Sequence, residues 1–181
     1  KAKMVGGLDD KGDLVSLHVR ISGQSILASV NPDWMQNGVD MFTFQGLLPE
    51  GDQGISYTVP NLLVEHAMRN PPVPPGFWRG VNVNQNAIYL ECFLDELAHA
   101  AGQDPLAFRR KLMKDHPKSR AVLDAVAERV GWDEPAPAGI HRGLAVCKAF
   151  SAHVAACAEL SVDGRGRLKI HRIVAATDPG Y

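Results

Sequence analysis

Three helix signals follow one another between Asn84 and Gly131 with no strand pattern between them, and this succession most narrows the possible folds. From about Asn84 to Ala101, Ile88, Phe93, Leu94, Leu97, Ala98 and Ala101 recur near one face of a helix, and Gly102 suits the position just past its end. Asp104-Pro105 combines an N-cap with a proline at the first helical position, which predicts a second helix through about Lys114. His116-Pro117 breaks that helix and starts a third, in which Val122, Leu123, Val126, Ala127 and Val130 keep helical spacing until Gly131. Helices in series, not alternating with strands, argue against a doubly wound parallel sheet.

The flanks read as strands. Met4-Val5 leads through the turn cluster Asp9-Asp10-Lys11-Gly12 into Leu14, Leu17, Val19 and Ile21, a hairpin whose second strand is expected to run to about Ala28. Residues 57–67 form another apolar run, with Pro60 near its start. Further strands are expected at 143–146, 154–162 and 168–174, the last pair joined through Asp163-Gly164-Arg165-Gly166. Residues 31–56 are polar and aperiodic, a long excursion of the kind that lines a site or meets a neighbouring domain; Met41 to Phe44 suits a short helix or strand. The expected fold is α+β: mixed or antiparallel sheet from the N- and C-terminal parts, with three consecutive helices packed on one side. The chain divides into a strand region 1–67, a proline-rich Arg-Gly loop 68–83, a helical region 84–131 and a strand region 140–181.

Composition excludes several classes. A formal charge of −1 over 181 residues gives no electrostatic case for nucleic acid or an anionic membrane surface. No apolar run approaches the roughly 18 residues that span a bilayer. Three cysteines (Cys92, Cys147, Cys157) make neither a disulfide framework nor the four thiolates of an ordinary iron–sulfur cluster. Cys92, among Leu90, Phe93 and Leu94, is expected to be buried and inert. The seven histidines show no HxxxH or HExxH spacing, which argues against a protein-ligated metal. Both ends look cut, so the chain is expected to be a piece of a longer polypeptide.

The chemistry concentrates in the loop before the first helix. Prolines 71, 72, 74 and 75 stiffen an extended segment that delivers Trp78, Arg79 and Gly80 in succession. Glycine permits a positive φ and close backbone approach. The guanidinium offers a rigid fork of donors to phosphate, carboxylate or oxo groups. The amides beyond Gly80 lie at a helix N-terminus, where anions are favoured. The structural alternative is that Arg79 caps a carbonyl and Trp78 fills a gap. Glu91 and Asp95, four apart, present two carboxylates on one side, suited to acid–base work or to pairing with Arg109 or Arg110. The run Arg109-Arg110-Lys111 reads most simply as a solvated face. Ser151, His153 and Cys147 invite a nucleophile, with Ser151 and His153 on one strand face, but no acid is evident to orient the histidine. The GxG at 164–166 is turn chemistry, because no helix follows it.

The run FWRG, then QNA, an acidic residue and DELAHAAG with DP and FRR beyond, then KDHP and AVLDAVAERVGW, resembles the large (beta) subunit of isoquinoline 1-oxidoreductase-type enzymes in the xanthine dehydrogenase/aldehyde oxidoreductase family of molybdenum hydroxylases. The resemblance is strongest over 57–132, and the 143–162 region matches a scaffold run of that family. It implies a molybdenum–molybdopterin cofactor, of the cytosine dinucleotide form, held by the pterin and not by protein ligands. It further implies oxidation of N-heterocyclic aromatics or aldehydes with water as oxygen source. Electrons would pass to a small [2Fe–2S] subunit and on to a c-type cytochrome or other acceptor. By the same resemblance Arg79 matches the arginine that contacts the cofactor, Trp78 and Gly80 match its neighbours, and Gln85 lies near the same loop. Val81 stands where the family often places an aromatic along the substrate channel.

The family's Gln-Gly cofactor loop and its terminal Glu motif are not found. The chain is therefore expected to be inactive alone, to bind no cofactor tightly, and to depend on the remainder of the large subunit. Two other readings compete: a non-catalytic α+β interaction module gripping a partner through the proline-rich loop, Trp34 and Trp78, and a carboxylate-pair hydrolase using Glu91 and Asp95.

Overall fold

A computed structural model describes residues 1–180. Strands β1 (Ala2–Leu8) and β2 (Leu14–Gly23) form the expected antiparallel hairpin, and β3 (Asn61–Met68) adds to β2 in parallel. After a short helix α1 (Ile26–Val30) come the long helix α2 (Val83–Ala100), α3 (Pro105–Leu112) and α4 (Pro117–Val130). A second, antiparallel sheet closes the chain, with β4 (His141–Ala149), β5 (Ala152–Val162) and β6 (Leu168–Asp178) in that spatial order. The α+β class holds, with the strands divided between two three-stranded sheets.

Local chemistry explains where the helices begin and end. Asp104 accepts from the amide of Ala107 and Pro105 follows it, so α3 starts as the sequence predicts. Gly131 ends α4 at φ 67°, and Arg142 and Arg172 donate to the carbonyls of Gly131 and Val130, placing positive charge at that helix's negative end. Gly6 lets β1 and α2 approach closely: a β-carbon there would run into the methyls of Leu97.

One apolar core joins the two sheets through the helices. Leu17, Val19 and Ile21 of β2, Leu90, Leu94 and Leu97 of α2, Leu123 and Val126 of α4, and Leu144 and Val146 of β4 belong to it. Helix α2 packs against β1 and β4, and α4 against β5 and β6.

Four expectations are corrected. The second strand stops at Gly23, because Ser25 then caps α1 by accepting from the Ala28 amide. The third begins after Pro60, which has no amide to give the ladder; Tyr57 instead lies buried in the preceding loop. Helix α2 is rotated from the predicted face: Val83, Asn86, Leu90, Leu94 and Leu97 point inward, while Ile88 is 63% exposed and Cys92 lies on the surface. Arg109, expected in solvent, is the largest fully buried side chain described.

The excursion 31–56 is organised by a buried carboxylate. Asp40 accepts from Ser25 Oγ at 2.8 Å, from the Leu27 amide at 3.0 Å and from the Phe42 amide at 2.9 Å. These bonds hold the 3-10 turn Met41–Phe44 under the start of α2.

Candidate functional site: the Arg-Gly loop and its crevice

The amide of Val81 donates to the Trp78 carbonyl and that of Val83 to the Gly80 carbonyl, which folds the loop tightly against α2. Gly80 sits at φ 84°, and a β-carbon there would collide with the Asn84 carboxamide. Asn84 is itself fixed, since its Nδ2 donates to the Arg79 carbonyl at 2.7 Å. Val81 follows at φ 49°, a conformation that a β-branched residue adopts only under constraint.

The constraint comes from below. The Asn82 amide donates to Gln45 Oε1 and its Nδ2 to the Phe42 carbonyl, while Asn86 Nδ2 donates to the carbonyls of Thr43 and Gln45. Two asparagines one turn apart thus stitch the helix start to the 3-10 turn. Asn82 makes no side-chain capping bond to α2's own first amides, so that end of the helix keeps its positive character.

A crevice of about 290 Å³ opens beside this junction. Trp78, Val81 and Gln85 line it, together with Thr43, His66 and Tyr89. Gln85 Nε2 donates to Asn82 Oδ1. Thr43 Oγ1 and, beneath it, Asn86 Oδ1 are buried without a hydrogen-bond partner. Arg79 and Gly80 are not among the residues that line the crevice. The Arg79 side chain is exposed, and among the described residues no hydrogen bond or ion pair engages its guanidinium. Trp78 is 82% exposed and fills no gap.

The structure therefore brings three of the five predicted site residues, Trp78, Val81 and Gln85, to one crevice, with Arg79 and Gly80 on the adjoining turn. It adds Thr43, His66 and Tyr89. Thr43 comes from the aperiodic excursion 31–56, expected either to line a site or to meet a neighbouring domain, and nothing in its local pattern singles it out.

The other candidates sort differently. Tyr57 OH donates to Glu91 Oε1 at 2.7 Å, Arg109 Nε to Glu91 Oε2 at 3.0 Å, and Arg109 Nη1 to Asp95 Oδ1 at 2.6 Å. Both carboxylates border a groove between α2 and β4, yet both are locked onto one guanidinium, which leaves neither as a free base. Burial pushes the Glu91 carboxyl upward against the pull of Arg109, and pushes the Tyr57 hydroxyl well above its ordinary range. Ser151 sits in the two-residue turn between β4 and β5, and Cys147 and His153 point to opposite faces of the sheet. His153 Nδ1 shares a 2.8 Å hydrogen bond with Ser119 Oγ, which is itself bonded to Ser56 Oγ. Burial and the Lys148 ammonium hold His153 below the ordinary imidazole value. Among the described residues no cluster of His, Cys, Asp and Glu could hold a metal ion, and no helix is long and apolar enough to cross a membrane.

No family model matches the chain. It is 28% identical over 130 residues to the beta subunit of isoquinoline 1-oxidoreductase from Brevundimonas diminuta, covering 70% of this chain. It is 31% identical over 128 residues to the B subunit of nicotinate dehydrogenase from Pseudomonas putida, covering 61% of this chain. The chain spans 17% and 11% of the length of these two relatives. Among solved structures, the aldehyde oxidoreductase of Desulfovibrio gigas superposes with a TM-score of 0.53 at 16% identity, over 94% of this chain and 20% of that one. The aldehyde oxidoreductase of Desulfovibrio desulfuricans gives 0.51 at the same identity and coverage.

Proposed function

From a chain of the molybdenum hydroxylase large-subunit kind, we propose that residues 77–86 form one wall of the molybdenum–pterin site of such an enzyme. The observation that carries this reading is an unengaged guanidinium on a constrained glycine turn, at the uncapped start of an 18-residue helix. That donor set fits the anionic groups of the cofactor: Arg79 offers a fork of charged donors, and the first amides of α2 add a positive field. The orphaned Thr43 Oγ1 in the crevice wall is a further polar group in want of a partner.

When bound, the group supplies the two-electron redox chemistry that places oxygen from water on a carbon atom. Arg79 holds and neutralises negative charge, Gly80 lets the backbone lie close, and Gln85 with Trp78 shapes the adjoining space. Val81, small where a flat ring would otherwise sandwich the substrate, leaves that channel wider. Substrates of this reading are N-heterocyclic aromatics or aldehydes, with electrons leaving to an iron–sulfur subunit. The pterin carries a cytosine dinucleotide, and catalysis requires polypeptide beyond these residues.

The test is metal and pterin analysis of the purified native protein that carries this chain, beside an Arg79→Ala variant. Stoichiometric molybdenum that falls on substitution supports the wall assignment. A fully metal-free native protein sinks it and favours the interaction module.

A further inference from the structure

Residues 51–58 run from the exposed Gly51 and Asp52 to the buried Ile55, Ser56 and Tyr57, and neighbours on two sides fasten them. From the second sheet, Lys148 Nζ donates to the Gly51 carbonyl at 2.9 Å, and the Ser151 amide donates to the Asp52 carbonyl at 3.2 Å. From the helices, Ser119 Oγ is bonded to Ser56 Oγ at 3.0 Å, and the Leu112 carbonyl accepts from the Thr58 amide at 2.7 Å. Thr58 Oγ1 also donates to Asp115 Oδ2 and shares a 3.2 Å hydrogen bond with His116 Nε2. An imidazole thus stands at each helix-side fastening: His116 at Thr58, and His153 with its Nδ1 2.8 Å from Ser119 Oγ.

Both rings are partly buried and both are surrounded by cations. Lys148, His153 and Asp178 lie side by side across β4, β5 and β6, so their side chains share one face. His153 meets Ser119 there, which makes it the face turned to α4, and the start of α4 adds Lys118 and His116. Burial is the largest influence on each ring, and together with the Lys148 ammonium it holds both below the ordinary imidazole value. Lys118 and His116 add to the repulsion at His153. Asp115 acts the other way on His116, and Asp178 on His153. Each of these carboxylates already has a partner: Thr58 Oγ1 for Asp115, and for Asp178 the Gly180 amide and, at 4.0 Å, Lys118.

We propose that His116 and His153 form an acid-sensitive latch on residues 51–58, closed while both rings are neutral and opened when they take up protons. In the open form the rings face water and titrate near the ordinary value of about 6.5. In the closed form they resist protonation. Between the two values the open form binds more protons, so closure is complete above about pH 6.5 and weakens as pH falls below it. At one pH unit below the open-form value, each ring shifts the balance toward opening by up to about tenfold. The latch secures one end of a closed loop, in which the Gly46 amide donates to the Gln53 carbonyl and the Ile55 amide to the Leu48 carbonyl. Gln45, which holds Asn82 and Asn86 beneath the Arg-Gly loop, adjoins the other end.

The experiment measures hydrogen-exchange protection of individual amides at about pH 7.5 and about pH 5.5, corrected for the intrinsic pH dependence of exchange. It compares the parent chain with the double variant His116→Gln, His153→Gln, whose fold is checked by circular dichroism. In the parent chain the amides of Ser151, Ile55 and Thr58 are expected to lose protection about tenfold or more on acidification, while those in the middle of α4 keep theirs. The double variant should hold all of them. Unchanged protection in the parent chain overturns the proposal, as does an equal loss in the double variant or a loss shared by the whole molecule. Titration of the two imidazoles in the parent chain by nuclear magnetic resonance decides the matter even if the double variant does not fold. Both midpoints should lie below about 6.5, and two midpoints at or above that value overturn the latch.

Discussion

The guanidinium of Arg109 meets the carboxylate of Glu91 at 3.0 Å with both side chains buried, and this pair fastens three elements together. Arg109 leaves α3, reaches α2 through Glu91 and the Glu91 carbonyl, and touches β4 through the Leu144 carbonyl. Tyr57 closes the network from the loop before β3. Each buried donor and acceptor here has a partner, the condition under which such a network is tolerable in an apolar core.

Removing Arg109 leaves the buried Glu91 without its counter-charge, whereas removing Glu91 leaves Arg109 still paired with Asp95. Arg109→Met is expected to lower the unfolding free energy by about 3–5 kcal/mol, and Glu91→Leu by less. The combined replacement of Tyr57, Glu91 and Arg109 by Phe, Leu and Met should recover much of that loss. Urea unfolding of the four proteins measures it. A triple variant no better than Arg109→Met alone would show that the network contributes net attraction beyond mutual neutralisation.

Much of the frame was legible, and the misreadings share a cause. Caps and breakers act locally, so Asp104, Pro105, Pro117 and Gly131 place the helix boundaries without knowledge of the fold. Burial of a charged residue does not act locally. Arg109 looks like its neighbours Arg110 and Lys111 until Glu91, Asp95 and Tyr57 converge on it from sites 14 to 52 residues away. Ile88 and Cys92 defy the pattern because the polar residues Asn86 and Glu91 turn in, each held by buried hydrogen bonds that apolar periodicity does not register. At the candidate site the glycine turn was readable from Gly80. The Thr43 wall was not, because it depends on a turn held by Asp40.

Acid should uncover a second ionic cluster. Glu159 accepts from Arg172 Nε at 2.7 Å and from Arg142 Nε at 3.0 Å, and these guanidinium bonds, Arg172 first, hold its carboxyl below the ordinary range. A carboxylate with a depressed folded value stabilises the fold above its unfolded value, near pH 4, and loses that contribution as pH falls through the folded value. The thermal midpoint of the parent chain should therefore exceed that of Glu159→Gln at pH 6, and the gap should narrow steadily below about pH 4. A gap independent of pH would remove the ionic explanation.

At the loop, Gly80 and Val81 predict opposite signs. Gly80→Val forces a side chain into φ 84° and against the anchored Asn84 carboxamide, and should destabilise by about 1–3 kcal/mol. Val81→Gly relieves a β-branched residue at φ 49°, a gain offset in part by the greater freedom of glycine in the unfolded chain, for a net change of about 1 kcal/mol or less in favour of folding. Chemical denaturation of the two variants decides both. If the strain serves the proposed cofactor wall, the more stable Val81→Gly protein should retain less molybdenum than the parent.

The turn between β4 and β5 holds a second store of strain. Phe150 and Ser151 are its two central residues, at φ 50° and 64°, and Ala149 pairs with Ala152 across it. Two positive φ values in a two-residue hairpin are the signature of a type I′ turn, which favours Asn followed by Gly and disfavours an aromatic at the first position. No glycine announces the turn, so the break expected between the strands at 143–146 and 154–162 could not be narrowed to Phe150 and Ser151. The side chain of Phe150 is exposed, so its replacement removes little buried surface. Phe150→Asn with Ser151→Gly should therefore raise stability by about 1–2 kcal/mol, visible as a higher denaturant midpoint with an unchanged slope. A loss of stability would mean that Phe150 makes packing contacts worth more than the backbone strain it imposes, and would contradict the exposed placement of its ring.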